Sequence, residues 1–222
     1  MPSPPPPSSP SPPPLTLLYL CTSNVCRSPL ASAIATSLLS SLPSPLPVTV
    51  ISRGITDGYS AWKSPADERM HAAAEELSRH LPRNLAGVLL ASLRSHESRL
   101  LTVNEAADPN TVIFLMTAAH GQWAGDLVGE STLSKASKDG RVRLVDSKNG
   151  DVADPYFGTS SSYTSVGRHI LSSVPVTAGR VLVERGVVTE EEWSAVAREW
   201  KVPEEWGDAG EVGRRRGEEQ RR

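Results

Sequence analysis

The chain has 222 residues, a formal net charge of −2 and 38% hydrophobic residues, so it can bury one α/β core with appendages and is too neutral to select a nucleic acid or an anionic membrane surface by charge. Its two cysteines, Cys21 and Cys26, lie close together, which excludes a disulfide framework and points to a reducing compartment, the cytoplasm. No apolar run approaches a membrane span, and the first residues lack the basic start and apolar stretch of a secretory leader.

Residues 1–14 are almost entirely proline and serine. Such a segment cannot bury apolar surface and predicts an extended, disordered arm, of a composition that SH3 and WW domains bind. Apolar, β-branched runs at 16–20, 48–52, 111–116 and 141–145 predict strands. Helical periodicity occupies 29–42, 65–80, 118–127 and 161–184, with a further short helix at 85–93 inside the poorly patterned stretch 81–110. This alternation predicts a single three-layer α/β domain over 15–188: a mostly four-stranded, parallel, twisted sheet with helices on both faces, joined by right-handed crossovers. Residues 190–200 read as an amphipathic helix whose tryptophans can pack back on that domain, so 189–222 is expected to be a helix followed by a charged tail beyond about 207.

In open sheets of this kind ligands bind at the carboxyl ends of the strands. Cys21, Ser52 and Thr117 follow such ends. Cys21 also opens the loop Cys21-Thr-Ser-Asn-Val-Cys-Arg-Ser28, which leads into a helix that Ser28 can cap and Pro29 can begin. A thiol becomes a nucleophile where cationic groups or a helix N-terminus stabilise the thiolate. Here the helix dipole, the loop amides of Thr22, Ser23, Asn24, Val25 and Cys26, and the fork of Arg27 would converge on one anion. Ser28 can donate its hydroxyl to the sulfur. Taken alone, the spacing also admits a buried core thiol; a zinc site lacks a second cysteine or histidine pair, and no metal or other cofactor is expected.

The loop closely resembles the signature of the low-molecular-weight protein tyrosine phosphatases, in which cysteine, asparagine, a second cysteine, arginine, serine and proline recur in these places. A second block, Gly150-Asp-Val-Ala-Asp-Pro-Tyr-Phe-Gly158, resembles that family's general-acid loop. Weaker matches lie between them at 52–54, 62–65, Asp67 and Arg69, 96–99 and 112–116, in the family's order. The stretch 81–110 is longer than the family's and suggests an insertion.

The resemblance implies phosphoryl transfer from phosphotyrosine in proteins or peptides, and from small aryl phosphates. Cys21 would be the nucleophile, Arg27 the phosphate fork and Asp154 the general acid. Asp108-Pro109 is a second Asp-Pro pair, but Asp154 has extended backbone imposed by Pro155, an aromatic lip in Tyr156 and Phe157, and Gly158 to turn the loop away. The resemblance further implies that Asn24, Ser28, Ser52 and His96 form a network holding the loop; Asn24 suits a left-handed position in its own right. Tyr156 and Trp62 are expected to stack on the substrate ring. Cys26 could form a reversible disulfide with oxidised Cys21 or simply pack. Val25 stands where relatives selective for phosphoarginine carry threonine, which favours phosphotyrosine; a protein arginine phosphatase and a non-catalytic phosphate binder are the alternatives. Arsenate reductases of similar fold need further cysteines. Ser23, Ile55, Thr117 and Phe157 depart from the family's usual glycine, threonine, aspartate and second tyrosine.

Overall fold

The computed structural model describes residues 14–42, 46–148 and 150–200. Apart from Pro14, the proline-rich arm lies outside the described residues, as does the tail expected beyond 207. Strands β1 (Leu15–Cys21), β2 (Val48–Gly54), β3 (Thr111–Leu115) and β4 (Val142–Leu144) form a parallel sheet in the order β2-β1-β3-β4. β1 is central, pairing with β2 from Leu15↔Val48 to Cys21↔Gly54 and with β3 from Thr16↔Thr111 to Leu20↔Leu115. A strand covered on both faces reads as a continuous apolar run, and β1 and β3 are buried almost throughout.

The alternation of side chains along β1 separates two cores. Leu17, Tyr19 and Cys21 face one layer and Leu18 and Leu20 the other. The first layer holds α1 (Arg27–Leu39), α3 (Glu68–Ser78), α4 (Arg83–Arg94), α8 (Ser160–Glu184) and α9 (Glu190–Glu199). The second holds α5 (Val103–Ala107), α6 (Ala119–Val128) and α7 (Glu130–Lys138). The short helix α2 (Asp57–Ala61) follows β2 at the carboxyl edge of the sheet. The three-layer α/β expectation holds. The chain leaves β1 toward β2 on one side and returns as β3 on the other, so the crevice where strand order reverses opens beside Cys21.

The short helix expected at 85–93 is present as α4, while several other elements differ from expectation. The stretch 81–110 carries α4, whose Leu85, Leu89 and Leu93 are fully buried at helical spacing, and then α5 with a Thr102–Glu105 capping box. α5 and α2 are single short turns with no apolar period to detect. α7 buries Leu133 and Ala136 on an otherwise polar sequence, too little apolar stripe to stand out. Ser28 does not cap α1: the helix begins at Arg27, Cys26 occupies the cap position, and no side chain caps it. Its first N–H groups are therefore left to the loop they face.

The C-terminal helix is tied to the domain by two indoles. Pro175 lies inside α8 and has no N–H, which frees the carbonyl of Leu171 one turn earlier. The Nε1–H of Trp200 donates to that carbonyl at 3.2 Å, and Trp193 Nε1 donates to the carbonyl of Pro175 at 3.1 Å. Gly179 makes room for this: a Cβ there would lie 1.7 Å from Trp193 Nε1. Trp193 and Trp200 are both buried and belong to the main core.

Candidate active site

Cys21 is the last residue of β1, so the sheet fixes the Cα of the thiol, and the next five residues turn directly into α1. The turn depends on Asn24, whose φ of 56° is left-handed. Its buried side chain closes the loop from within. Nδ2 donates to Ser28 Oγ and to Ser52 Oγ, each at 2.9 Å, while Oδ1 accepts the Arg99 N–H at 2.8 Å. The Asn24 carbonyl accepts from His96 Nε2 at 2.7 Å, so His96 carries its proton on that nitrogen. Burial holds the His96 pKa below the usual imidazole value, an effect that the bond to Asn24 opposes. Asn24, Ser28, Ser52 and His96 are thus joined in one hydrogen-bonded group.

Ser28 Oγ lies 3.0 Å from Cys21 Sγ and also reaches the carbonyl of Arg53 at 3.3 Å. Asn24 fills one of its acceptor positions, and its single hydrogen is shared between the Arg53 carbonyl and the sulfur. Arg27 is 3% exposed and its fork is shared. Nη1 donates to the Val152 carbonyl at 3.1 Å; Nη2 donates to Asp154 Oδ2 at 2.6 Å and to Thr22 Oγ1 at 3.3 Å.

The loop that carries Asp154 is moored to β3 and the turn after it. Val152 N–H donates to the Met116 carbonyl at 2.7 Å, and Ala118 N–H donates to Asp151 Oδ1 at 2.7 Å. Asp154 Oδ1 accepts the Tyr156 N–H at 3.1 Å, an Asx turn ahead of the aromatic lip. Asp108 is at the other end of the sheet, where its carboxylate accepts the Asn110 N–H and closes the turn into β3.

These elements line a pocket of about 230 Å³, with Cys21 and Arg27 on the side of the loop after β1 and Asp154, Tyr156 and Phe157 on the other. Thr22, Ser23, Val25 and Cys26 also line it. Trp62 does not. It sits at the end of α2, 81% exposed, and Tyr59 from the same helix takes the wall position instead. Trp62 is the C-cap residue, just past the end of α2, and so short a helix gives no periodicity to read. Tyr59 and Tyr156 meet hydroxyl to hydroxyl at 2.5 Å, and Phe157 abuts Tyr156 edge-on with ring centroids 5.0 Å apart.

Two further groups had no role assigned from the sequence, although Asp67 and Arg69 were among the weaker family matches. His120, at the start of α6, is 1% exposed and places Nε2 3.1 Å from Thr22 Oγ1, the hydroxyl that accepts from Arg27. Burial, helped by the charge of Arg27, lowers its pKa to about 3, so it is a neutral ring. The second group is Arg69, Asp67 and Tyr163. Arg69 lies over the Tyr163 ring at 4.5 Å, pairs with Asp67 at 2.8 Å and donates to the Tyr156 carbonyl at 3.1 Å. Tyr163 lies 3.8 Å from Cys26 Sγ, and burial pushes that thiol up to about 12. Cys26 is therefore a protonated thiol. Among the described residues no group of three or more His, Cys, Asp or Glu side chains could hold a metal ion, and no helix is long and apolar enough to cross a membrane.

A parallel-sheet scaffold with a cysteine and an arginine on an anion-cradling loop at its carboxyl edge defines a class, the phosphatases built on such loops. No family model matches the chain. Over 144 residues it is 33% identical to the probable low molecular weight protein-tyrosine-phosphatase EpsP of Ralstonia nicotianae, a match that covers 64% of this chain and 78% of the relative. The chain belongs to the low-molecular-weight protein tyrosine phosphatase family. Among solved structures it is similar to Vibrio vulnificus Wzb in complex with benzylphosphonate, with a TM-score of 0.55 and 21% identity over 75% of this chain and 98% of that one. It is also similar to the YwlE arginine phosphatase, with a TM-score of 0.56 and 22% identity over 78% and 100% of the two chains. At such identities the two likenesses establish the fold.

Proposed function

We propose that the protein hydrolyses phosphotyrosine in proteins, and small aryl phosphates, through a cysteinyl-phosphate intermediate. The observation that carries this reading is the convergence of Cys21, Arg27 and Asp154 on one pocket with aromatic walls. A substrate phosphate seated on the loop would take the N–H groups at the uncapped start of α1 and the fork of Arg27, displacing the Asp154 carboxylate from Nη2. The Cys21 thiolate attacks phosphorus; the S–P bond forms as the P–O bond to the phenol breaks, and Asp154 in its acid form gives its proton to the departing oxygen. Asp154, now a carboxylate, takes a proton from water as its oxygen attacks phosphorus. The S–P bond breaks, releasing inorganic phosphate and restoring the thiolate.

The charge in such a loose transition state is spread over three equatorial oxygens, so Arg27 and the loop amides supply most of the stabilisation. The Ser28 hydroxyl, 3.0 Å from the sulfur, stabilises it as attacking and leaving group. Tyr59, Tyr156 and the aliphatic Val25 form a slot suited to a flat ring. That supports phosphotyrosine over the shorter phosphoserine. The cytoplasm suits an enzyme that must keep Cys21 reduced.

The test is turnover of phosphotyrosine, phosphoarginine and phosphoserine peptides side by side, with acid-quench mass spectrometry to trap phosphocysteine. Phosphotyrosine turnover is expected, with the phosphorylated intermediate on Cys21 and none in Cys21→Ser. Activity retained in Cys21→Ser overturns the mechanism; a preference for phosphoarginine overturns the substrate.

A further inference from the structure

A second hollow of about 520 Å³ lies next to the catalytic pocket. It shares Val25, Tyr59 and Tyr156 with that pocket and is otherwise walled by residues 64–69, the approach to α3 and its first turn. The catalytic pocket is smaller than the usual range for ligand sites, about 300–1,000 Å³, and suits one side chain. The rest of a peptide has to leave it, and the shared residues make this groove a direct continuation.

We propose that the groove is the subsite for a substrate residue flanking the phosphotyrosine, and that Glu68 makes it select lysine or arginine there. The inference rests on the phosphotyrosine reading of the catalytic pocket. The wall is fixed to the catalytic loop rather than free-standing, since the Asp67 N–H donates to the Val25 carbonyl at 2.8 Å. Of the three charged groups in the lining, two satisfy each other. Asp67 accepts from the Arg69 backbone N–H, Nε and Nη2 and from the Tyr163 hydroxyl, while Arg69 spends Nη1 on the Tyr156 carbonyl. Arg69 thus commits three of its five side-chain N–H groups, and its charge is offset by that of Asp67. Glu68 is exposed at the first position of α3 and has no ion-pair partner among the described residues. It leaves the groove with one uncompensated negative charge. Lys63 lies before this segment but does not line the groove. Val25, Pro65 and Ala66 supply apolar surface for the methylene stem of a long basic side chain whose head reaches Glu68.

The experiment uses phosphotyrosine peptides that carry either lysine or glutamate at one of three positions on each side. Their kcat/KM is measured with the full-length enzyme, and their dissociation constants with Cys21→Ser by fluorescence anisotropy. An exposed ion pair predicts a lysine-over-glutamate ratio of about two- to fivefold at one position. The ratio is expected to fall toward unity in Glu68→Gln, to invert in Glu68→Lys and to shrink as ionic strength rises. Using a ratio removes any general change in activity. Equal affinity for the two peptides at every position, or a ratio that survives Glu68→Lys, overturns the subsite. Loss of phosphotyrosine turnover in the parent counts instead against the catalytic reading, because the affinity ratio is read on a variant that needs no turnover.

Discussion

Replacing Asn24 tests how the catalytic loop holds its shape. The residue is fully buried with a φ of 56° and makes three side-chain hydrogen bonds, to Ser28, Ser52 and the Arg99 N–H. At a net contribution of about 1 kcal/mol each, their loss in Asn24→Ala amounts to about 3 kcal/mol. The left-handed backbone adds roughly 1 kcal/mol for a residue with a Cβ and no side-chain amide. Asn24→Gly loses the same bonds but not the backbone preference, so it should be roughly 0.5–1 kcal/mol more stable than Asn24→Ala, after allowing for the extra freedom of glycine in the unfolded chain. In a domain of this size the alanine variant should melt roughly 10 °C lower than the parent. Urea unfolding of the three proteins, with turnover of an aryl phosphate, measures both effects. If Asn24→Ala lies within 1 kcal/mol of the parent, or Asn24→Gly is as unstable as Asn24→Ala, the assignment of loop stability to this residue is wrong.

Three further outcomes are expected. Asp154→Asn should lower turnover by about 10²–10⁴-fold for phenyl phosphate and far less for dinitrophenyl phosphate, whose leaving group needs no proton; an equal loss for both would refute the general acid. His120 has its folded pKa depressed to about 3 from 6.5, so the unfolded chain takes up the proton first. Its contribution is complete above about pH 6.5 and is lost as pH falls toward 3; at pH 5 the loss amounts to about 2 kcal/mol. Urea midpoints at pH 7 and 5 should therefore differ less in His120→Asn than in the parent, and equal differences would rule this out. Trp200→Phe strands the Leu171 carbonyl and should cost about 1–3 kcal/mol. Pro175→Ala restores an N–H to that carbonyl, so Trp200→Phe should cost less in that background, and strict additivity in the double-mutant cycle would refute the pairing.

Much of this site was legible because its chemistry is local in sequence. Cys21, Asn24, Arg27 and Ser28 lie close together where a strand turns into a helix, each of those elements with a periodicity of its own. Asp154 was legible because Pro155 constrains its backbone and distinguishes its setting from that of Asp108. The partners that arrive from elsewhere were harder. His120 belongs to an ordinary helix start, and only the packing of α6 against the turn at Thr22 gives it a role. Trp62 was expected at the pocket and Tyr59 was given no role; a five-residue helix offers no stripe to say which residue faces the pocket. The uncapped start of α1 was misread for a related reason. Serine is a good cap in isolation, but Ser28 is drawn to Cys21, Asn24 and Arg53 instead.

The place of Arg27 ties the two halves of the site together. Its Nη1 bond to the Val152 carbonyl and its Nη2 bond to Asp154 make it a strut between the catalytic loop and the acid loop. Under the proposed mechanism a phosphate would compete for Nη2, while the bond to the Val152 carbonyl could persist, with the Val152 N–H anchoring that residue to Met116. The acid loop can therefore stay in register while the Asp154 carboxyl is released toward the leaving oxygen. Lysine could replace the charge of Arg27 but not both of these directions at once. In the proposed mechanism the buried guanidinium would therefore position the Asp154 carboxyl as well as the phosphate, with the Val152–Met116 bond setting where both meet the sulfur of Cys21.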